Sequence, residues 1–483
     1  MLRTSRYLLC LALVSVCLNC GCGTRARSDH PVPATMFPVV VFSDFHFNPL
    51  DTPAQCPVLA AADVSAWAGM LQASSTTLPK WHEDTNYRLF VLALASIQQN
   101  LGESPVVIFS GDLLVHKISN LFYENCAGLT TGQTPSAQDV ANMQAFANKT
   151  ALFVMQQVRA SIGNVPVMFV VGNNDSYTGL GPDSIFLANA VEPYYTNFVN
   201  GTPADYPEFF NSFTAGGYFS AEPLGTNLKV ISLNTNLFAA SPPIPGLPSN
   251  DSAAYAELAW LDATLASAQS AGQKVWLLMH VPPGADTCTT AENLANGGSL
   301  TTATAAMMWG SAYQESFLQI LAKYPGVITF TLAGHTHRDE YRILSSSQVL
   351  DIPPSISPYL GNDPAFEIYS FTQDTFVPTD YQSLNYDLAT APAQFNSYYT
   401  FSSAYAMQGP LDASLEQLYP QLVTNSAKQA LYMGKYNSGN NGQYSSGNTS
   451  ENWNPVSNTN WPVFACGIGK MSQADFIDCV NSY

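Results

Sequence analysis

Pro166–Asp175 reads PVMFVVGNND. Six almost unbroken apolar residues, Pro166–Val171, run into a glycine, two adjacent amides and a carboxylate. Four more stretches are built the same way: PVVVFSDFH over Pro38–His46, PVVIFSGD over Pro105–Asp112, KVWLLMH over Lys274–His280 and VITFTLAGHTH over Val327–His337. A sixth run, LKVISL over Leu228–Leu233, has no Asp or His at its end. Runs this short and this rich in Val, Ile and Phe predict β-strands, and their near-continuous hydrophobicity predicts strands covered on both faces. Helical periodicity over Tyr87–Gln99, Ser136–Ala160 and Ala253–Ala271 places helices between them, so an α/β fold is expected.

The 483 residues are 46% hydrophobic and 12% aromatic, which predicts a packed globular body. A net charge of −18 argues against nucleic acid as a stable partner held by phosphate contacts. An anionic substrate is still admitted wherever bound cations reverse the local field. Arg3 and Arg6 precede the apolar segment Leu8–Leu18, so residues 1–28 read as a signal peptide, or as a lipoprotein leader with Cys20 or Cys22 lipidated. The expected location is secreted or periplasmic, with a lipid anchor in the second case. Cys56, Cys126, Cys288, Cys466 and Cys479 follow the leader; in an exported chain they are expected to pair, leaving one over unless Cys20 or Cys22 survives, and Cys466 with Cys479, which flank a short helical pattern, is the expected pair. The catalytic domain is expected over 35–375. After Thr372 no comparable strand run occurs. Residues 376–483 therefore read as a C-terminal helical extension, with helices at Leu411–Tyr432 and Ser472–Val480 around an Asn/Ser/Gly-rich loop at Asn437–Asn460.

Carboxyl ends of strands are where open α/β sheets gather ligand-binding groups. Here they supply Asp44, His46, Asp112, Asn173, His280, His335 and His337, with His116 four residues beyond Asp112. One histidine after a strand is ordinarily structural. Five of the chain's seven histidines in such places, beside two aspartates, point to a metal site. Mixed imidazole and carboxylate donors suit Zn, Fe or Mn. Asp-x-His and His-x-His set alternate side chains on one side of an extended segment. A pair of metals needs a bridging oxygen donor, and Asp112 is the candidate.

In this order, Asp-x-His, Gly-Asp, Gly-Asn-x-Asp, a strand-terminal His and Gly-His-x-His resemble the calcineurin-like metallophosphoesterases. The likeness is to their acid sphingomyelinase-like phosphodiesterase branch, through His116, PSISPYLGNDPAFEIYSF from Pro354 and the cysteine-bearing tail. The resemblance implies a four-layer α/β/β/α sandwich of two mixed sheets. It implies two divalent metal ions, Zn2+ first with Fe or Mn as alternatives. Asp44, His46 and His337 would hold one, Asn173, His280 and His335 the other, and Asp112 would bridge. It further implies phosphodiester hydrolysis by a metal-activated water, with His116 contacting the phosphate or protonating the leaving oxygen.

One residue departs from the family's pattern. Asn174 stands where these families have a catalytic histidine after the ligand Asn. Its amide can donate to a phosphoryl oxygen but cannot deliver a proton. The acid role then falls to His116, or the leaving group needs little protonation. The second condition opens nucleotide or polyphosphate anhydrides as substrates, and Gly-Asn-Asn-Asp also resembles the block of endopolyphosphatases. A metal-containing binding protein with impaired turnover is the alternative of another class. The expected partner is a phosphodiester or phosphoanhydride substrate, with transient membrane contact if it is a lipid, and no obligate protein partner. Asp175 reads as a group orienting a neighbouring donor. His82, Tyr177, Tyr359 and Asn362 are candidates for the cleft wall, and Arg338 and Asp339 read as solvated loop charges.

Overall fold

All six apolar runs form strands in the computed structural model, which describes residues 35–199, 206–240, 250–297, 299–440 and 456–483. The expected leader, with Cys20 and Cys22, and most of the Asn/Ser/Gly stretch lie outside the described residues. The strands are β1 (Met36–Phe42), β2 (Val107–Phe109), β3 (Val167–Phe169), β4 (Phe219–Ala221), β5 (Leu228–Ser232), β6 (Lys274–Leu278), β7 (Ile328–Leu332), β8 (Glu340–Ser345), β9 (Gln348–Ile352), β10 (Ala365–Thr372), β11 (Pro378–Asn385) and β12 (Asn396–Thr400). They form two mixed sheets, ordered β12-β11-β10-β1-β2-β3 and β4-β5-β6-β7-β9-β8. In the first, β1, β2 and β3 run parallel, with Val40 opposite Val107 and Val107 opposite Val167, while β10 pairs antiparallel with β1.

The pleat sorts side chains between two cores. Along β6, Trp276 and Leu278 join the core shared with the first sheet, while Val275 and Leu277 join a second core with Leu258, Leu261, Leu265 and Phe317 of the helices at Asn250–Ala271 and Ser311–Ala322. Trp276 lies 4.4 Å from Phe371 of β10, ring to ring, and its indole donates to Phe376 O at 2.9 Å. On the far side of the first sheet, Phe90 and Phe153 pack 5.2 Å from Phe45 and 5.5 Å from Phe47. Their helices, Tyr87–Asn100 and Ala137–Ile162, begin where Asn86 and Ser136 accept from backbone N–H groups of the first turn. Ser136 and Asp139 close a reciprocal capping box. The layers are helices, sheet, sheet and helices, the four-layer α/β/β/α arrangement expected.

The region after 375 differs from the expectation. β11 and β12 continue the first sheet across that boundary, so 376–483 is not purely helical. They escape the hydrophobic pattern because they lie toward a sheet edge and are built mainly of Tyr, Asn, Asp, Gln, Ser and Thr. The expected helix Leu411–Tyr432 is broken into Leu411–Thr424 and Ser426–Lys435, because Asn425 turns out of helical geometry and caps the second piece. Trp461–Gly469 is a further helix, buried on nearly all sides and so without an amphipathic pattern. Disulfides join Cys466 to Cys479 and Cys56 to Cys126, and Cys288 is left over. Among the described residues no helix is long and apolar enough to cross a membrane.

Arg338 and Asp339 are buried, not solvated. Arg338 donates to Asn437 Oδ1 at 2.6 Å and Leu360 O at 2.7 Å, and the Tyr399 hydroxyl donates to Asp339 at 2.7 Å. The late part of the chain thereby braces the loop that carries His335 and His337.

A second buried group links the sheets. The Tyr369 hydroxyl of β10 lies 2.8 Å from Glu367, also of β10, and 2.9 Å from Asp351 of β9. A phenol carries one proton, so one of those carboxyls must hold its own. Burial pushes Asp351 up to about 8 and Glu367 well above its ordinary range. Unfolded carboxyls titrate near about 4, so this stabilisation is complete in acid and is lost as pH rises from about 4 toward 8. The melting temperature should fall between pH 5 and pH 8, and Asp351→Asn with Glu367→Gln should flatten that slope. An unchanged slope in the double variant would contradict this assignment.

Candidate metal centre

The carboxyl ends of β1, β2 and β3 from one sheet and β6 and β7 from the other meet at the seam between the sheets. Asp44 N donates to Gly111 O at 3.0 Å, and Gly334 N donates to His280 O at 3.0 Å. The approach is so close that a Cβ on Gly111 would lie 2.7 Å from His280 Nδ1, and one on Gly172 would collide with the Asp112 carboxylate. Asp44, His46, Asp112, His335 and His337 all take positive φ, between 42° and 75°. For a non-glycine residue such a conformation costs about 1–3 kcal/mol and persists where the surroundings enforce it, typically at functional sites.

All seven expected ligands converge. Asp112 Oδ2 lies 3.3 Å from His46 Nε2 and 3.2 Å from His280 Nε2. Asn173 Oδ1 lies 3.2 Å from His280 Nε2 and 2.9 Å from His335 Nδ1. On the other flank, Asp44 Oδ1 is 3.5 Å from His337 Nε2 and 3.7 Å from His46 Nε2, and the two ring nitrogens are 3.0 Å apart. Ligand-capable atoms of Asp44, His46 and Asp112 all lie within 4.8 Å of one another.

The hydrogen bonds around this cluster test whether cations fit it. His46 Nδ1 faces Leu114 O at 3.1 Å and His280 Nδ1 faces Ser110 O at 2.7 Å. A carbonyl only accepts, so both rings carry their proton on Nδ1 and turn an Nε2 lone pair toward the Asp112 carboxylate. Lone pair against carboxylate is repulsive without a positive charge between them. Protons meet that need in part. Burial is the largest single influence and disfavours the charged rings, yet Asp112 and Asp44 together outweigh it and raise His46 and His280 to about 9. Burial likewise works against the Asp44 anion, but His337, His46 and His280 hold it at about 2. His335 is depressed to about 4 by burial and by His280, and burial holds His337, whose Nδ1 lacks a hydrogen-bond partner, well below the ordinary histidine range. Divalent cations satisfy every one of these donors at once, and imidazole, amide and carboxylate together suit Zn, Fe or Mn.

Residues 37–339 match the family model for calcineurin-like phosphoesterases. The chain belongs to that family. It is 25% identical over 263 residues to sphingomyelinase phosphodiesterase C of Dictyostelium discoideum, covering 50% of this chain and 51% of the relative. To the human cyclic GMP-AMP phosphodiesterase SMPDL3A it is 26% identical over 365 residues, covering 72% and 69%. It spans about half the length of the Dictyostelium relatives it matches. A dimetal phosphatase from Danio rerio aligns with a TM-score of 0.38 and 12% identity, covering 72% of this chain and 95% of that one.

Beside the candidate ligands, His116 is held in a sandwich. Its ring stacks on His46 at 3.8 Å and on Tyr359 at 3.9 Å, and its Nδ1 donates to Asp84 Oδ1 at 2.8 Å. Asp84 also accepts from His116 N at 3.2 Å and Ser357 Oγ at 3.3 Å. Sequence reasoning missed Asp84, which sits in a loop before the helix cap Asn86 with no strand or periodicity to mark it. Asp175 accepts from the backbone N–H groups of Asp112, Leu113 and Gly172 at 3.0, 2.7 and 2.9 Å, an orienting role as expected. The Asn174 side chain lies against Asp112, not in the open cleft. Of the remaining wall candidates, His82 and Tyr359 line a cleft beside His116. Tyr177 instead donates to Asn148, and Asn362 is tied into its own loop through Ser355 and Ser357. The fifth strand's ending, Asn234-Thr235-Asn236, serves the site indirectly, because Asn236 donates to Val171 O at 3.1 Å.

The absent Cβ of Gly172 gives a direct check on this geometry. Gly172→Ala forces a methyl onto the Asp112 carboxylate and should destabilise the fold by about 1–3 kcal/mol and abolish tight divalent-cation binding in calorimetry. Wild-type cation affinity in that variant would contradict the close approach.

Proposed function

We propose that the chain is an exported hydrolase that holds two divalent cations and cleaves phosphodiester bonds, as its sphingomyelinase-like relatives are named for doing. The observation that carries this reading is the pair of Nε2 atoms, on His46 and His280, that face one buried carboxylate oxygen. Asp44, His46 and His337 would hold one cation, Asn173, His280 and His335 the other, with Asp112 shared. When bound, the cations supply positive charge to a phosphoryl oxygen and lower the pKa of water toward neutrality.

The protein's own residues do the rest. His116 keeps its Nδ1 proton on Asp84, so its Nε2 can carry a second proton to the leaving oxygen. Stacking between His46 and Tyr359 fixes the ring plane, so little reorientation is needed when the bond breaks. The adjoining cleft, about 450 Å³, is lined by Asp51, Glu83, Asp84 and Glu124 against Lys117 and His82. That wall repels a polyanionic leaving chain, which favours a neutral or cationic leaving group over polyphosphate. The two disulfides and the apolar segment Leu8–Leu18 favour export.

Chelated and reloaded protein should be assayed on an alkyl diester, an activated phenyl diester, ATP and polyphosphate. Diester cleavage that appears only after reloading, with slower anhydride turnover, is the expected result. Cation-loaded protein inert on every diester would instead identify a binding protein. Asp84→Asn should lower kcat on the alkyl diester by about 10²-fold or more, with little effect on the activated phenyl diester, whose leaving group needs no proton. Equal losses on both would assign Asp84 a structural role.

A further inference from the structure

Residues 172–175 and 112–113 are latched to each other in both directions. The Asp175 carboxylate takes the backbone N–H groups of Asp112 and Leu113. The Asp112 carboxylate in return takes Asn174 N on Oδ1 at 2.7 Å and Asn174 Nδ2 on Oδ2 at 3.0 Å. A carboxylate can only accept, so the NH2 end of the Asn174 amide must face it. Asn174 is 5% exposed, and its carbonyl end points toward Gly179, where a Cβ would come within 3.3 Å. The amide is therefore enclosed on both sides.

Oδ2, the oxygen that Asn174 holds with its side chain, is the same one that faces both His46 and His280. Rotation of this carboxylate about its Cβ–Cγ bond would turn Oδ2 away from both rings. The backbone contact on Oδ1 fixes one corner of the group, and the side-chain contact fixes the other.

We propose that Asn174 is a positioning residue that sets the rotation of the Asp112 carboxylate between the two cation positions, and that its amide does not contact the transferred phosphoryl group. This rests on Asp112 being shared by two cations, as proposed above. Outer partners of metal ligands typically contribute about 10–100-fold in metal affinity, and a partner holding a shared oxygen acts on both positions together.

The test reads cation affinity without substrate, by chelator competition with Zn2+ or Mn2+, on Asn174→Leu and Asn174→Ala. Leucine fills nearly the same volume without a donor, and alanine provides a second variant if leucine does not fit; melting of the cation-free proteins checks the fold. The expected result is affinity weakened about 10–100-fold in a protein that melts normally without cations. Its kcat, at saturating cation, should recover toward wild type. Wild-type affinity with a persistent loss of kcat would overturn the proposal and place the amide on the substrate. Wild-type behaviour in both would overturn it as well. Because affinity is read without substrate, a protein lacking diesterase activity still decides this point. A wild type that binds no cation would overturn the underlying reading and this inference together.

Discussion

Two histidine Nε2 atoms directed at one carboxylate oxygen set the terms for the whole site. His46 comes from the first sheet, His280 from the second, and Asp112 lies between them at 3.3 and 3.2 Å. Three acceptors crowded in this way demand positive charge, and the carbonyls behind each ring remove the option of reversing the tautomers. The sandwich of two sheets is what makes this possible. A single sheet presents its strand ends along one line, whereas two packed sheets bring ends together from opposite sides.

Holding that arrangement strains the backbone at five of the seven expected ligands, each at positive φ. The restraint comes from several directions. Asp175 grips the backbone of Asp112, Asn236 grips Val171, and Arg338 ties the His335–His337 loop to Asn437 and Leu360. The late helices and the strands β11 and β12 are thus part of the same mechanical unit as the candidate metal site. The composition changes near residue 375, but the first sheet continues across that point through β11 and β12.

Much of this is legible in the sequence. Apolar runs such as Pro38–Ser43 and Lys274–Met279 are buried on both faces, so their pattern is strong, and the ligand-type residues at their ends all reach one place. What stayed hidden was whatever depends on long-range company. β11 and β12 are polar strands whose pairing comes from β10, and the Trp461–Gly469 helix has no polar face to reveal its period. Arg338 and Asp339 look like loop charges until the distant Asn437 and Tyr399 are folded against them. Asp84 acquires meaning only through His116, which is remote in sequence and stacked on a metal-ligand candidate.

The central claim is that Asp112 is shared by two cations. The most direct measurement is the electron paramagnetic resonance of protein loaded with Mn2+. Two ions bridged by one carboxylate should give the spectrum of an exchange-coupled pair, with two Mn2+ bound per chain. A spectrum of isolated Mn2+ ions at that same loading, or saturation at a single ion, would contradict the account.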